Sequence, residues 1–489
     1  MNYKMTGKFI SQIISIEALF MIPALLISAL HRETAAMLGF VYTIALTLAI
    51  AGILHLLCRK TNRRFGARDG LVCVGLGWLV LSLLGCLPFV FSGAIPRYID
   101  AFFEIVSGFT TTGASILSDV ETLPKGLLYW RSFSHWLGGM GVLVFLLALT
   151  PSDGGEKGFT MHLLRAESPG PDVGKLVPKM RTTASILYII YIVMTVINFI
   201  FLIIGDMPVF DAVCTALGTS GTGGFGIKND SRASYSPYIQ NVTTVFMLLF
   251  SVNFNIFYLL LSKEFRAAYR DTELRVFLGI VLASTLMIAV NIWQTGQELC
   301  GTFLEALHHS AFQVSTIIST TGFATTDFNR WPMFSKMILM LLMFIGASAG
   351  STGGGMKVSR VIILAKSILS EIKKLIHPNS IKLVRVSGKV VSSDVVHSVN
   401  GYFAAYIALI ALSTLCLSLD NFNFETTFSA VVACFNNIGP GFDMVGAAGN
   451  YSAFSDFGKL VLCADMLLGR LEIFPILLLF SPSLWRRTK

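Results

Sequence analysis

The sequence predicts an all-α polytopic membrane protein, and three observations lead to this prediction. Of the 489 residues, 54% are hydrophobic and 13% are charged, whereas ordinary soluble domains carry about 25% charged residues. The mean hydropathy is +0.69. The apolar runs are far longer than the ~10-residue alternating strands of a membrane β-barrel, so they are expected to cross the bilayer as helices. Soluble, disordered, collagen-like and coiled-coil classes are excluded by the same composition.

Ten apolar stretches approach or exceed the roughly 20 residues that a transmembrane helix needs. The candidate spans are 8–30, 34–57, 70–92, 127–150, 184–205, 240–262, 274–293, 333–369, 395–419 and 457–481. The first span follows Lys4 and Lys8, as the apolar part of a signal peptide would. Its apolar run is too long for a typical signal peptide and no small-residue cleavage site follows, so we expect it to remain as a helix.

The distribution of basic residues predicts the orientation of the chain. Most of the 37 lysines and arginines fall on the cytosolic side when the amino terminus is placed inside, with dense groups at 59–68, 157–181, 263–275 and 357–389. Because cytosolic loops carry the excess of Lys and Arg, both termini are expected to be cytosolic. The net charge of +9 is therefore attributed to topology and to contact with the lipid bilayer, and not to a nucleic-acid partner.

Four segments between the spans share one pattern and are too short to cross the membrane. Each begins with an acidic residue, continues as an apolar helix of about 11 to 15 residues, and ends in a Thr/Gly cluster. Their acidic residues are Asp100, Asp211, Glu305 and Glu425. This recurrence predicts four helix–half-helix–helix repeats preceded by an extra helix pair. The expected boundaries are 1–69 for the extra pair and 70–183, 184–272, 273–389 and 390–489 for the repeats.

The physics of the bilayer predicts what these four segments do. Non-helical backbone at membrane depth must be buried in protein or line a water-filled path. Four half-helices can converge on one axis and point carboxyl ends, each with about half a negative charge, toward it. Glycine lets the backbone turn so that carbonyl oxygens face inward and replace the hydration shell of a cation. A single Thr/Gly cluster fits an ordinary extracellular loop, but four in register favour repeats around one pore.

The four clusters resemble the filter loops of the Trk/Ktr/HKT superfamily of cation transporters. The matching segments are Gly108-Phe-Thr-Thr-Thr-Gly113-Ala, Gly221-Thr-Gly-Gly-Phe225, Ser319-Thr-Thr-Gly-Phe323 and Asn437-Ile-Gly-Pro440. Residues 165–171, 347–357 and 377–379 are similar to segments of the bacterial TrkH branch, as is the extra amino-terminal helix pair. The resemblance covers nearly the whole chain.

The resemblance implies a potassium-selective, channel-like uptake protein of the bacterial inner membrane, and not an enzyme. It also implies a homodimer with one pore per subunit, regulated by a cytosolic nucleotide-binding ring of the TrkA type. Potassium is then the substrate, and no covalently bound cofactor is expected. The implied ion-binding residues are Thr111, Thr112 and Gly113; Gly221, Thr222 and Gly223; Thr320, Thr321 and Gly322; and Asn437, Ile438 and Gly439.

Within this superfamily, a glycine at the key position of all four filters accompanies potassium preference, and a serine in the first accompanies sodium. The key positions here are Gly113, Gly223, Gly322 and Gly439. The fourth filter departs from the others, because Asn437-Ile438 replaces a threonine pair and Pro440 follows the glycine.

The span near 333–369 contains five glycines within residues 346–355, which we call the Gly-rich loop. Each glycine costs a helix about 1 kcal/mol, so the span is expected to break there. A phosphate-binding loop is excluded because no Gly-Lys-Ser/Thr follows and no strand precedes. A packing kink is one interpretation. A gate below the filter is the other, and the resemblance favours it. The gating candidates are Gly346, Gly350, Gly353, Gly354, Gly355 and, in the last span, Arg470.

Two intramembrane charges need an explanation, since such residues are functional candidates by default. Arg470 lies between Asp465 and Glu472, so it could form a structural ion pair with one of them. The other interpretation is a cation that faces the pore, and the resemblance favours this second interpretation. Glu17, in the first span, is expected to be a buried, paired residue outside the pore.

Two other functions compete with a channel. One is a potassium symporter coupled to protons or sodium, which a reversal-potential measurement distinguishes from a channel. The other is a polytopic membrane enzyme, for which no convergent Ser/His/Asp or metal-ligand set is found in the sequence. The chain has no nucleotide-binding motif of its own, so nucleotide control is expected to come from a separate partner.

Overall fold

Helices form nearly all of the regular structure in the computed structural model, which describes residues 3–59, 67–141, 180–295, 300–377, 383–471 and 473–482. The helices of the first half are α1 (Tyr3–Phe20), α2 (Ile22–Leu30), α3 (Thr34–Leu57), α4 (Ala67–Gly85), α5 (Leu87–Phe91), α6 (Tyr98–Phe109), α7 (Lys125–Met140), α8 (Met180–Ile204), α9 (Val209–Gly221), α10 (Pro237–Ser251) and α11 (Phe254–Leu261).

The second half continues the helical pattern and adds one short hairpin. Its helices are α12 (Phe265–Arg270), α13 (Thr272–Thr295), α14 (Phe303–Ile318), α15 (Met333–Ile345), α16 (Val358–Ile376), α17 (Ser393–Leu417), α18 (Phe424–Phe435), α19 (Asp456–Leu471) and α20 (Ile473–Leu479). The antiparallel strands β1 (Arg385–Val386) and β2 (Lys389–Val390) form the hairpin. Single 3₁₀ turns occupy Phe328–Arg330, Ser418–Asp420 and Asp443–Val445.

Many of the helices have the length and apolar composition of membrane spans. Six helical stretches of the described residues are long and apolar enough to span a bilayer, and a bent pair makes up to seven. The six are Tyr3–Leu30, Thr34–Leu57, Asp69–Phe91, Ala184–Ile204, Thr272–Thr295 and Ser393–Asp420. Of the other predicted spans, 127–150 and 457–481 contain residues outside the described part of the chain.

The predicted span at 240–262 is broken, because α10 and α11 meet at an angle of 92°. Asn253 immediately precedes α11 and caps it, its side chain accepting a hydrogen bond from the backbone N–H of Asn255. The carbonyl of Phe250, at the end of α10, accepts a hydrogen bond from the backbone N–H of Thr352 at 3.3 Å. In the sequence, the two apolar runs are separated only by a short polar break, so they were predicted as one span. In the structure, the end of α10 and the start of α11 form hydrogen bonds with the Gly-rich loop.

The predicted break at 333–369 is present, since α15 ends at Ile345 and α16 begins at Val358. Gly346, Gly350 and Gly355 have positive φ angles of 71°, 67° and 77°. A Cβ atom on Gly346 would lie 2.7 Å from the Cα of Gly355, so the two ends of the loop approach each other more closely than side chains allow. The helix therefore breaks where the glycine density predicts.

The packing of helices closes into a ring. Contacts run in the order α6, α7, α9, α10, α14, α15, α18, α19 and back to α6. An ion pair of 2.5 Å between Lys459 of α19 and Asp100 of α6 joins the last and first members, and Lys336 of α15 pairs with Glu425 of α18 at 3.4 Å. The amino-terminal helices α1, α2 and α3 pack on one another and against α4, α5 and α7, outside this ring.

Glu17 lies in α1 beside Gly85 and is 2% exposed. The prediction that it is paired is wrong for the described part of the chain, where neither carboxylate oxygen has a hydrogen-bond partner. Its place in the amino-terminal helices agrees with a position outside the helix ring.

Candidate ion-conducting site

Four short helices, α6, α9, α14 and α18, alternate with α7, α10, α15 and α19 around the helix ring, and we call them the half-helices. They contain 12, 13, 16 and 12 residues, too few to cross a bilayer. Each carries an acidic residue in its first turn, where a negative charge is favourable beside the helix dipole. These residues are Asp100, Asp211, Glu305 and Glu425. The sequence therefore located all four half-helices, the third being slightly longer than expected.

The four half-helices end with the same backbone motif. A residue with positive φ follows each helix: Thr111 at 57°, Thr222 at 53°, Thr320 at 58° and Asn437 at 55°. The N–H of the next residue donates to the carbonyl five positions back: Thr112 to Ser107 at 2.8 Å, Gly223 to Gly218 at 2.9 Å, Thr321 to Thr316 at 2.8 Å and Ile438 to Ala433 at 2.9 Å. Glycine usually fills such a left-handed position. Three β-branched threonines there are outliers that indicate a functional constraint.

The repeated motif fixes which glycines are equivalent. Four glycines come two residues after the left-handed residue: Gly113, Gly224, Gly322 and Gly439, with φ of 81°, 79°, 88° and 92°. By this motif, Gly224 is the structural equivalent of the other three glycines, one residue after the Gly223 that the sequence analysis selected. The sequence Gly221-Thr-Gly-Gly offers several glycines, and only the left-handed conformation of Thr222 decides between them. We call residues 110–115, 221–226, 319–324 and 436–441 segments 1 to 4.

The four equivalent glycines form a closed cycle of contacts, which we call the glycine ring. A Cβ atom on each would collide with a carbonyl oxygen of the next segment: Gly113 with Gly223, Gly224 with Thr321, Gly322 with Ile438, and Gly439 with Thr112. The last contact returns to segment 1, so the segments surround one axis. None of these positions admits a side chain unless the neighbouring backbone moves.

A cavity of about 120 Å³ opens on one side of the glycine ring and is called the mouth cavity. Its lining includes all four ring glycines and residues that follow them in the chain, such as Ala114. Charged or titratable side chains in the lining come from Arg131, Lys228 and Tyr451. No Asp or Glu of the described residues is among the lining residues.

Segment 4 differs from the others, as its sequence predicted. The Asn437 side chain donates to the Thr112 hydroxyl at 3.0 Å and to the Met466 carbonyl at 2.9 Å. The Tyr451 hydroxyl donates to the carbonyl of Gly439 at 2.6 Å. The amide side chain thus links segment 4 to segment 1, whereas the matching threonines have other partners or, in the case of Thr111, no hydrogen-bond partner among the described residues.

The Gly-rich loop contacts the side of the segments that precedes the glycine ring. The N–H of Gly354 donates to the Thr320 hydroxyl at 2.6 Å. A Cβ atom on Gly354 would lie 2.6 Å from the carbonyl oxygen of Asn436. The mouth cavity is lined by the ring glycines and the residues after them, so the loop and the cavity contact different ends of the segments.

Glu273, which the sequence analysis missed, holds the Gly-rich loop from the start of α13. One carboxylate oxygen accepts from the N–H of Ala349 at 2.7 Å and from the N–H of Ser359 at 3.1 Å. The side chain is buried. An acidic residue at the first turn of a span was the only signal in the sequence, and it resembles an ordinary helix-start acid.

Arg470 joins the Gly-rich loop to the end of α7. Its guanidinium donates to the carbonyl of Thr352 at 2.7 Å and to the carbonyl of Gly139 at 2.6 Å, and it also contacts the carbonyl of Gly138. Asp465, one of the two carboxylates considered as its partner, accepts from the Ser413 hydroxyl at 2.6 Å. The other, Glu472, lies outside the described residues.

His135 of α7 is a second residue that the sequence analysis missed. Its Nδ1 lies 2.8 Å from the carbonyl of Gly108, and its Nε2 accepts from the N–H of Phe225 at 3.3 Å. These contacts require a neutral imidazole with the proton on Nδ1. The ring therefore bridges the end of half-helix α6 and segment 2.

No cluster of three or more His, Cys, Asp or Glu residues suited to a metal ion is found in the part of the chain that the structure describes. Backbone carbonyl oxygens of the segments lie next to the ring glycines. The motifs at 165–171 and at Pro378 and Asn379 lie outside the described residues.

Comparison with known proteins gives consistent results. Residues 36–487 match the family described as TrkH, cation transport protein. The Trk system potassium uptake protein TrkH of Salmonella typhimurium is 36% identical over 466 residues, covering 94% of this chain and 95% of that protein. The Trk system potassium uptake protein TrkG of Escherichia coli is 34% identical, covering 96% of each chain.

The fold also matches a solved structure. The crystal structure of the potassium transporter TrkH from Vibrio parahaemolyticus superposes with a TM-score of 0.88 at 31% identity. The superposition covers 99% of this chain and 100% of that one. The all-helical polytopic fold predicted from the sequence is therefore confirmed.

Proposed function

Because this chain belongs to the TrkH family of cation transport proteins, we propose that it takes up potassium ions across the bacterial inner membrane. The relatives named above are potassium uptake proteins or a potassium transporter. Such proteins are transporters and not enzymes, so the relevant chemistry is the replacement of the ion's hydration shell.

The glycine ring is the observation that supports this proposal most strongly. Four segments with the same backbone motif meet around one axis, and each bears a glycine where a side chain would strike its neighbour. Because the four segments lie so close together, their carbonyl and hydroxyl oxygens can surround a dehydrated cation that passes between them. The half-helices direct the negative ends of their dipoles toward the same axis, which favours a cation there.

The proposed ion-binding residues are those of the sequence analysis, with Gly224 added at the key position of segment 2. Thr111, Thr112 and Gly113 belong to segment 1; Gly221, Thr222 and Gly223 to segment 2; Thr320, Thr321 and Gly322 to segment 3; and Asn437, Ile438 and Gly439 to segment 4. A channel-like mechanism is preferred to proton-coupled symport, since no carboxylate of the described residues lines the mouth cavity.

The Gly-rich loop is proposed as the gate of this pathway. Its contacts with Thr320 and Asn436 place it against segments 3 and 4, and Arg470 and Glu273 hold it there. Glycine gives such a loop the conformational freedom to leave this position. Movement of the loop is expected to open the conduction path without changing the ion-binding segments.

Control of the gate is assigned to a separate cytosolic partner. We propose TrkA-like nucleotide-binding subunits that form a ring beneath a homodimer of this chain, with one pore in each subunit. The support is the basic cytosolic face expected from the orientation of the chain and membership of the TrkH family. Both termini are placed in the cytosol on the same grounds.

Growth of a bacterial strain that lacks its own potassium uptake systems tests the proposed function. Expression of this chain with its host's TrkA-like subunit is expected to restore growth at limiting potassium. A chain that reaches the membrane in normal amounts but leaves growth and potassium uptake unrestored would contradict potassium uptake.

A further inference from the structure

We propose that the buried ion pair between Glu104 and Arg131 positions segments 1 and 2, and thereby contributes to the discrimination between potassium and sodium. Glu104 lies in half-helix α6 and Arg131 in α7, and their side chains are 0% and 2% exposed. The proposal rests on the proposed function, because it assigns these residues to the support of the same ion-binding segments.

Glu104 holds the part of segment 1 that follows the ring glycine. Its carboxylate accepts from the Ser115 hydroxyl at 3.0 Å and from the N–H of Ile116 at 3.0 Å. Ser115 and Ile116 come two and three residues after Gly113. Charge-assisted hydrogen bonds of this kind are about twice as strong as neutral ones, so the carboxylate restrains the chain directly beyond the glycine ring.

Arg131 extends the same support to segment 2. Its guanidinium lies 2.6 Å from Glu104 and donates to the carbonyl of Gly226 at 3.3 Å. Its central carbon is 4.0 Å from the ring centroid of Phe225, the residue after Gly224. One buried pair thus contacts both segments immediately beyond their ring glycines, at the edge of the mouth cavity.

The other half-helices lack an equivalent carboxylate. The residue nine positions before the ring glycine is Glu104 in α6 but Thr215, Gln313 and Ala430 in the others. Arg232 stacks on Phe323 at 4.1 Å, as Arg131 stacks on Phe225. None of the guanidinium nitrogens of Arg232 has a hydrogen-bond partner among the described residues. Within that part of the chain, the pair supports segments 1 and 2 alone.

The physical role of the pair is separable from its charge. Removing one member leaves an unpaired buried charge next to a cation pathway, which changes stability and electrostatics together. Removing both members leaves the net charge of the site unchanged, while the hydrogen bonds to Ser115, Ile116 and Gly226 are lost. A change in selectivity then reports the geometry of the segments.

The test compares the double variant Glu104→Leu/Arg131→Met with wild type in proteoliposomes, measuring the potassium-to-sodium permeability ratio. The expected result is a fall of at least threefold in this ratio. The matched control is Asp100→Asn/Lys459→Met, which removes an ion pair of the same half-helix whose side chains are 15% and 2% exposed and which is not among the contacts of the segments. The control is expected to lower thermal stability and to keep the wild-type ratio.

A folded double variant with the wild-type ratio would overturn the proposal, because the pair would then be purely structural. An equal fall in the control would also overturn it, since any lost ion pair would have the same effect. If the double variant does not fold, Ser115→Ala removes one contact of the pair, and an unchanged ratio in that variant counts against the proposal. Wild type that does not prefer potassium contradicts the proposed function instead, so the two failures are distinct.

Discussion

At the scale of single residues, backbone conformation restricts the site more than side-chain chemistry does. Thr111, Thr222 and Thr320 adopt left-handed conformations that cost a β-branched residue of the order of 1–3 kcal/mol. The ring glycines two positions later have no room for a Cβ atom. Such strain persists only where the surrounding structure enforces it, as the hydrogen bonds of the helix-end motif do here.

Gly113→Ser is expected to lower the potassium-to-sodium permeability ratio several-fold. A side chain at this position strikes the carbonyl of Gly223 and must displace segment 2, and its positive φ is unfavourable for serine. Ion selectivity from paired measurements of potassium and sodium flux checks this result. Gly93→Ser is the matched control, because Gly93 has a similar φ of 74° but open space around it. An unchanged permeability ratio in folded Gly113→Ser protein would contradict a role of Gly113 in ion selectivity.

Arg470→Ala is expected to increase basal potassium flux. The substitution removes the hydrogen bonds from Arg470 to Thr352 of the Gly-rich loop and to Gly139 of α7, so the loop loses one of its restraints. Flux per correctly folded protein, measured in proteoliposomes, is the readout, with Arg470→Lys as the variant that keeps the charge. Lower expression and thermal stability with wild-type flux per molecule would indicate a structural ion pair instead.

At the scale of elements, the broken helices form one assembly. The carbonyl of Phe250 at the end of α10 accepts from Thr352, and the N–H of Phe254 at the start of α11 donates to Gly350 at 3.0 Å. The backbone groups exposed at the 92° bend between α10 and α11 therefore form hydrogen bonds with backbone groups of the Gly-rich loop. Irregular backbone within a membrane requires such partners.

Replacement of Gly353, Gly354 and Gly355 by alanine is expected to raise basal flux and leave the permeability ratio unchanged. Cβ atoms at these positions would collide with Ala347, with Asn436 and with Gly346, so the loop cannot keep its contact with the segments. The experiment measures flux and ion selectivity on the same preparation. Gly401→Ala is the control, since nothing lies within 4 Å of its Cβ position. Wild-type flux in the triple variant would contradict a gating role and indicate that the loop is only a packing kink.

The elements that the sequence predicted are those with a strong local signal. An acid, a short apolar run and a Thr/Gly cluster identified the half-helices, and glycine density identified the break between Ile345 and Val358. The bend before Asn253 was missed because it depends on contacts with the distant Gly-rich loop. The register of segment 2 was missed because only the left-handed conformation of Thr222 distinguishes its adjacent glycines. The Glu104–Arg131 pair was missed for the same reason: its members are 27 residues apart.

At the scale of the whole molecule, the helix ring encloses one site and leaves the amino-terminal helices outside it. The ring is closed at its last junction by Lys459 and Asp100. Membrane class and all-helical fold were predictable from composition, because 54% hydrophobic residues cannot be buried in a soluble domain of this length. The closed cycle of glycine contacts required the three-dimensional structure, since it joins residues more than 90 positions apart.

The proposed regulation by a cytosolic partner concerns the whole assembly. Co-expression with the host's TrkA-like protein is expected to give a complex that survives purification, and added nucleotide is expected to change its potassium flux several-fold. Flux through the chain alone, measured with the same nucleotide, is the control. Identical flux with and without the partner and nucleotide would contradict the regulatory proposal while leaving the ion pathway unaffected.

A reversal potential shows whether the four segments around the glycine ring form one potassium-selective channel-like pathway, as proposed. Purified protein in a planar bilayer is given opposed gradients of potassium and sodium at equal pH on both sides. We expect a current whose reversal potential lies near the potassium equilibrium potential and does not shift when a proton gradient is added. Reversal near zero would contradict selectivity for potassium, and a shift with the proton gradient would contradict the channel-like mechanism in favour of coupled symport.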